Sequence, residues 1–184
     1  MDPIRNIKGK KLHTRRIETS TYEYGAGKMI VEGSLCDERF QNSHTVTDEM
    51  FPEGVMHHMS VSLLVDCTSL LVEDINVELT SVPREACLET IGCLARIRGL
   101  AITRGFTQQV KNIAGGKKGC AHLVELIQAM APAAFQGLAA YRSREPFGFS
   151  PDAAQAALKM LVNTCHVWRE GGPLAEMISR KTNP

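Results

Sequence analysis

Charge of one sign is missing from this sequence. Its 21 lysines and arginines stand against 20 acidic residues, a net charge of +1, so no global field draws the chain to nucleic acid or to an anionic membrane. Long apolar runs are missing too. Nowhere do about eighteen apolar residues follow one another, so the sequence predicts no membrane-spanning segment. The opening residues carry no apolar stretch of the kind a secretory leader needs, and the expected location is cytoplasmic. The six cysteines include no Cys-x-x-Cys pair, which removes the local zinc-ribbon signal. Without a leader they do not read as a disulfide framework either. Aromatic residues make up only 5%, and none is interleaved with Arg5, Lys8, Lys10, Lys11, Arg15 and Arg16. That excludes the usual nucleic-acid arm and predicts a solvated basic arm over residues 1–16. There is no internal repeat and no low-complexity segment.

What is present is an ordinary globular composition, 43% hydrophobic and 22% charged over 184 residues. It predicts a single domain, 1–184, with a proper core. The pattern divides into a strand half and a helix half. In MIVEGSLCDERF, Met29, Val31, Gly33 and Leu35 alternate with mostly polar neighbours, and Met59, Val61, Leu63 and Val65 do the same in MSVSLLVD. After a turn at Cys67-Thr68-Ser69, Leu71, Ile75, Val77 and Leu79 share one face, opposite Val72, Asp74, Asn76 and Glu78. One buried and one solvated face is the pattern of an antiparallel sheet. The stretch from Gln41 to Gly54 is polar, follows neither period and reads as a loop.

From Ser81 the period changes. Ser81 is a candidate cap for a helix with Pro83 and Glu85 in its first turn and Cys87, Ile91 and Leu94 at helical spacing, stopping at Gly99. Phe106, Val110 and Ile113 stripe a second helix, closed by Gly115-Gly116. Leu123, Ile127, Met130 and Ala134 stripe a third, which Pro132 should kink. Ser150 and Pro151 open a fourth, striped by Ala154, Leu158, Leu161, Cys165 and Trp168 and ended by Gly171-Gly172. Strands followed by helices predict an α+β domain, a small antiparallel sheet of about three strands with about four helices packed on one face.

Chemistry gathers at GGKKGC, residues 115–120, directly before the third helix. The run is not a P-loop, since its spacing fails and no serine or threonine follows the lysine. Cys120 stands where unpaired amides, Lys117 and Lys118 favour negative charge, and it is the candidate nucleophile. On an ideal helical wheel Cys120 borders the apolar stripe, while His122 and Glu125 lie together on the polar side. A Cys–His pair within this helix is therefore not expected, and a histidine base would come from another segment. Cys87 also lies near a helix start. His57 and His58 precede the second strand, where adjacent residues point to opposite sides, so at most one of them faces any site. Cys36, Cys67, Cys93 and Cys165 carry no such signal.

GVMHHM at Gly54 to Met59, Pro83 to Cys87, GGKKGCAHLVEL, Ala131 to Gln136 and NTCHVW at Asn163 to Trp168 together resemble a bacterial family catalogued as domain of unknown function 2889, from Leu12 to about Met177. Where that family has His-Asp-Met this chain has His57-His58-Met59, and where it often has threonine this chain has Ala121. More distantly, the order of elements is similar to the iron–sulfur cluster scaffold proteins and their sulfur-acceptor relatives. That likeness implies ligands spread over three segments, falling at His57 or His58, near Cys87 and at Cys120. With histidine in place of the first cysteine, it implies zinc or iron as the ion.

Three functions follow as expectations. The first is an accessory or scaffold-type protein holding a metal ion, cluster or reactive thiol at His57, Cys87 and Cys120, with His122 and Glu125 at the rim. The second is a thiol enzyme using Cys120 on a small carbonyl or acyl substrate. The third is a binding or assembly module, docking a protein partner or another copy through the run from Met130 to Ala140. No nucleic-acid or membrane partner is expected.

Overall fold

The computed structural model describes residues 7–25, 27–144 and 150–182. Residues 1–6 of the expected basic arm and 145–149 of the loop before the fourth helix lie outside them. The chain forms two compact units, Met1–Tyr141 and Arg142–Pro184.

The first unit is built on a four-stranded antiparallel sheet in the order β1 (His13–Tyr24), β2 (Lys28–Arg39), β5 (Gly54–Asp66), β6 (Val72–Ser81). The expectation of three strands missed β1. Its sequence, HTRRIETSTYEY, is polar at nearly every position, yet its Thr, Ile and Tyr suit a pleated surface, and it pairs with β2 from His13↔Arg39 to Tyr24↔Lys28. Arg15 and Arg16 accordingly stand in the sheet. The polar stretch before β5 carries a two-residue hairpin, β3 (Ser43–His44) with β4 (Met50–Phe51).

The inward row of β2 is Met29, Val31, Gly33, Leu35 and Asp37, and that of β5 is His57, Met59, Val61, Leu63 and Val65. The apolar members are sealed in the core. In β6 the phase differs from the alternation read in the sequence. A bulge between Leu64 and Val65 of the β5–β6 ladder leaves Glu73 unpaired. Val72 is thereby turned inward while Leu71 is exposed.

Ser81 does not cap a helix. It ends β6, and its hydroxyl donates to the Val55 carbonyl. The segment that follows is a 3-10 helix, Glu85–Ile97, in place of the expected α-helix. Three residues per turn stack i and i+3, and Cys87, Thr90 and Cys93 form one partly buried row beside Ile91, Leu94 and Ile97. Helix α1 (Phe106–Ala114) buries Phe106, Val110 and Ile113.

Helix α2 (Ala121–Arg142) continues through Pro132 and buries the expected Leu123, Ile127, Met130 and Ala134. It is long and apolar enough in composition to cross a bilayer, but its apolar stripe belongs to the core of this unit. Two glycines show where it crosses the sheet. A Cβ at Gly33 of β2 would lie 2.7 Å from the Met130 sulfur, and one at Gly137 of α2 would lie 2.4 Å from the Thr21 hydroxyl of β1. The helix thus runs over β1 and β2.

The second unit holds α3 (Pro151–Leu161) and α4 (Pro173–Thr182). Ser150 caps α3 as expected, its hydroxyl accepting from the Ala153 amide. The helix stops at Leu161, well before Gly171: Val162 leaves the helical conformation at φ −56°, ψ 131°, and Asn163 turns the chain at φ 63°. Cys165 is exposed in the turn that follows and shares no helical stripe with Leu161.

Candidate metal centre at the end of the sheet

The register assembles the site. Arg15 stands opposite Asp37 in the β1–β2 ladder, and Asp37 stands opposite His57 in the β2–β5 ladder, so the three form one row across three strands. A bulge leaves Met56 unpaired beside this row, buried. Asp37 continues the inward alternation of Met29, Val31, Gly33 and Leu35, which places a carboxylate at the end of an apolar face. Its side chain is only 5% exposed.

Burying a carboxylate is costly unless charge and hydrogen bonds replace its water. Burial alone would raise the Asp37 carboxyl, but Arg15 outweighs that and the net shift is downward, with His122 and His57 contributing. The guanidinium forks onto both oxygens, Nε to Oδ1 and an Nη to Oδ2, each at 2.7 Å. Its remaining Nη donates to Glu125. His13 Nε2 lies 3.3 Å from Oδ1.

Two histidines meet the other side of Oδ2. His57 Nδ1 is 3.3 Å from it and His122 Nε2 is 3.6 Å from it. The two rings stack at 4.1 Å between centroids, tilted by 33°. The His57 Nδ1 contact with Asp37 is an ion-pair distance, and by strict geometry that buried nitrogen has no hydrogen bond. Burial, then the neighbouring His122, push His57 below the ordinary histidine range, with Asp37 opposing in part. An imidazole nitrogen that is not protonated is a common metal ligand. One ligand atom from each of Asp37, His57 and His122 lies within 4.8 Å of the others.

Cys120 lies on the far side of His122, its sulfur 3.7 Å from Nδ1. This corrects the wheel argument, which placed the two on different faces. Helix α2 begins at Ala121, and the Cys120 carbonyl accepts the Val124 amide. Cys120 is therefore the residue just before the helix, a position whose backbone is typically non-helical, and the 3.6-residue period does not carry back to it. The same argument put His122 and Glu125 on the polar side of the helix, and both reach Asp37 and Arg15 at the end of β1 and β2.

Of the expected ligands, then, His57 and Cys120 are brought to one place, joined there by His122 from the expected rim, with Glu125 held through Arg15. His58 is not. It pairs with Cys36 and Ser81 on the outward face of the sheet and is exposed. Cys87 sits half-buried in the 3-10 helix, outside the group of three. Asp37, Arg15 and His13 were missed. The signal for Asp37 was available: a charged residue in register with four inward positions of β2.

The glycine before Cys120 is sterically required. A Cβ at Gly119 would lie 2.7 Å from the Ala114 carbonyl oxygen and 3.0 Å from the Cys93 sulfur. Since the nearest atom is backbone, it cannot swing aside. Gly119→Ala should therefore cost about 1–3 kcal/mol, read as a lower urea midpoint at unchanged slope; an unchanged midpoint would mean that the turn yields freely. Gly116 supplies the left-handed turn at φ 59°, and Lys118 is tied back to the Asn112 carbonyl at 2.8 Å.

The sequence pattern of the family described as "Protein of unknown function (DUF2889)" matches residues 13–136. The match opens on the first residue of β1 and includes the whole row and both histidines, while the NTCHVW stretch lies beyond it. No curated protein and no solved structure matches the chain. The chain belongs to the DUF2889 family.

Proposed function

We propose that this DUF2889 protein is a metal-binding protein whose Asp37, His57 and His122 hold one zinc or iron(II) ion at the end of the sheet. The observation that carries the reading is the spacing around Asp37 Oδ2. Ligands at about 2.1 Å from a tetrahedral ion stand about 3.4 Å apart, and the two contacts measure 3.3 and 3.6 Å. The unpartnered His57 nitrogen is a second support. Arg15 does not block Asp37, because each carboxylate oxygen has two lone pairs and Oδ2 can serve Arg15 and an ion together. A set of two histidines and one carboxylate leaves coordination positions open, the pattern of catalytic rather than structural sites.

The iron–sulfur scaffold likeness enters here only in outline. Its ligand plan of three separate segments is retained, with His57 in common, but Asp37 and His122 take the places given to Cys87 and Cys120. Competition with a chromophoric chelator tests the assignment. The wild type should bind close to one equivalent of zinc. His57→Ala and His122→Ala should weaken it by about a hundred-fold or more, above the loss known for ligand-supporting residues. Cys87→Ala, Cys120→Ala and His58→Ala should leave it within about three-fold. Equal damage from Cys87→Ala would overturn the assignment.

A thiol-enzyme reading has its own observation. Cys120 Sγ, His122 and Asp37 form a chain in which the thiol meets Nδ1 at 3.7 Å and the carboxylate meets Nε2 at 3.6 Å. This is the order of nucleophile, base and orienting acid, at the loose distances common before substrate binds. The two readings compete for the same His122 nitrogen. In the thiol reading, Asp37→Asn slows alkylation of Cys120 by iodoacetamide about ten-fold or more; in the metal reading it leaves the alkylation of the metal-free protein unchanged.

A further inference from the structure

A cavity of about 380 Å³ opens on the three ligands, lined also by His13, Arg15, Arg39, Gln41 and Ser43. This volume suits a small ligand, and its charged lining holds two arginines, Arg15 and Arg39. Asp37 is the one carboxylate in that lining, and both its oxygens accept from Arg15. Arg39 differs from Arg15. Its guanidinium donates to the Ser43 hydroxyl, and no carboxylate among the described residues pairs with it. Neighbouring Glu38 is engaged by Arg16. With Glu125 on the outer side of Arg15, two carboxylates balance two guanidiniums, and a divalent ion would leave the site with an excess of positive charge.

We infer that this cavity receives a small oxyanion, a phosphate or carboxylate group, which takes an open coordination position on the metal and hydrogen bonds from Arg39. The inference rests on the metal-binding reading above. Arginine suits the task because its planar fork gives parallel donors matched to an oxyanion, where a lysine offers a single point charge. Ser43 holds the guanidinium, so the group would be met by a positioned fork on one side and by the ion on the other. A neutral ligand would leave Arg39 buried beneath it without a counter-charge, a penalty that discriminates against uncharged analogues.

The test uses the full chain loaded with cobalt(II), whose visible bands report its own ligand sphere, titrated separately with inorganic phosphate and with acetate. At least one anion should shift the bands saturably. Arg39→Gln should keep the cobalt stoichiometry and the anion-free spectrum, which shows that the fold and the metal site are intact, while weakening the anion at least about ten-fold. Phosphate strongly preferred over acetate assigns a phosphate ligand, and the reverse assigns a carboxylate. If cobalt binds but neither anion shifts the bands, or if Arg39→Gln binds them as tightly as wild type, the oxyanion inference is overturned and the metal reading stands. If cobalt does not bind, both fall.

Discussion

Asp37→Ala should abolish zinc binding and lower the stability of the metal-free protein by about 2–4 kcal/mol. Removing one partner of a buried ion pair commonly costs 3–5 kcal/mol, because the other charge is left without compensation. Here the stranded group, Arg15, keeps Glu125 as a partner and some access to water, which places the loss at the lower part of that range. His13, His57 and His122 lose the same counter-charge. Asp37→Asn keeps the shape and one acceptor oxygen and should fall between alanine and wild type in stability, while still losing the metal. Urea unfolding in chelator-treated buffer measures the first effect and zinc competition the second. A loss under about 0.5 kcal/mol in Asp37→Ala would mean that the carboxylate does not anchor this end of the sheet.

Gly137→Ala should also destabilise the protein, although helix propensity alone argues the reverse. At an exposed helical position, alanine for glycine gains close to about 1 kcal/mol. At position 137 the new Cβ would sit 2.4 Å from the Thr21 hydroxyl oxygen and 2.6 Å from both Thr21 Cβ and Cγ2. Threonine is branched at Cβ and held in the β1–β2 ladder opposite Val31, so it cannot swing away. The helix must lift off the strand, at a cost of about 1–3 kcal/mol net of propensity. Lifting α2 also moves His122 relative to Asp37, so zinc affinity should fall with stability. Thr21→Gly removes all three clashing atoms. In its background Gly137→Ala should become neutral or stabilising, a coupling of about 1–3 kcal/mol in a double-mutant cycle. Additive effects would show that α2 does not rest on Thr21.

The parts legible in the sequence were those governed by period. The inward rows of β2 and β5 followed from strict alternation, and the stripes of α1 and α2 from helical spacing, because burial against one face imposes a period directly. The cap at Ser150 was legible for an equally local reason. Three features were not. Strand β1 has few apolar residues, since its inward face ends in His13 and Arg15 at the site and in Thr19 and Thr21 below α2; function and close packing replaced the usual pattern there. The 3-10 helix has rows spaced by three, Cys87, Thr90, Cys93 and Ile91, Leu94, Ile97, and three is easily absorbed into an α-helical reading. The phase of β6 changed at a bulge, which leaves no mark in composition.

The candidate site was legible by half. Two of the three proposed ligands, His57 and His122, were singled out, the first as a ligand and the second only for the rim, and the group that joins them was overlooked. The helical wheel separated Cys120 from His122 because it assumed a helix already formed at residue 120. Asp37 was passed over because the alternation was read only as far as Leu35. Had it been followed one step further, the chain would have presented a carboxylate on the core side of a strand, and such a residue demands partners. Arg15 and His57 are the partners that the ladder supplies.

X-ray absorption at the zinc edge of the loaded protein tests the central claim most directly. Ligation by Asp37, His57 and His122 predicts a first shell of nitrogen and oxygen alone at about 2.0–2.2 Å, with the outer-shell signature of two imidazoles. A sulfur shell at about 2.3 Å would place Cys120 or Cys87 on the metal and contradict the account, as would a protein that takes up no zinc at all.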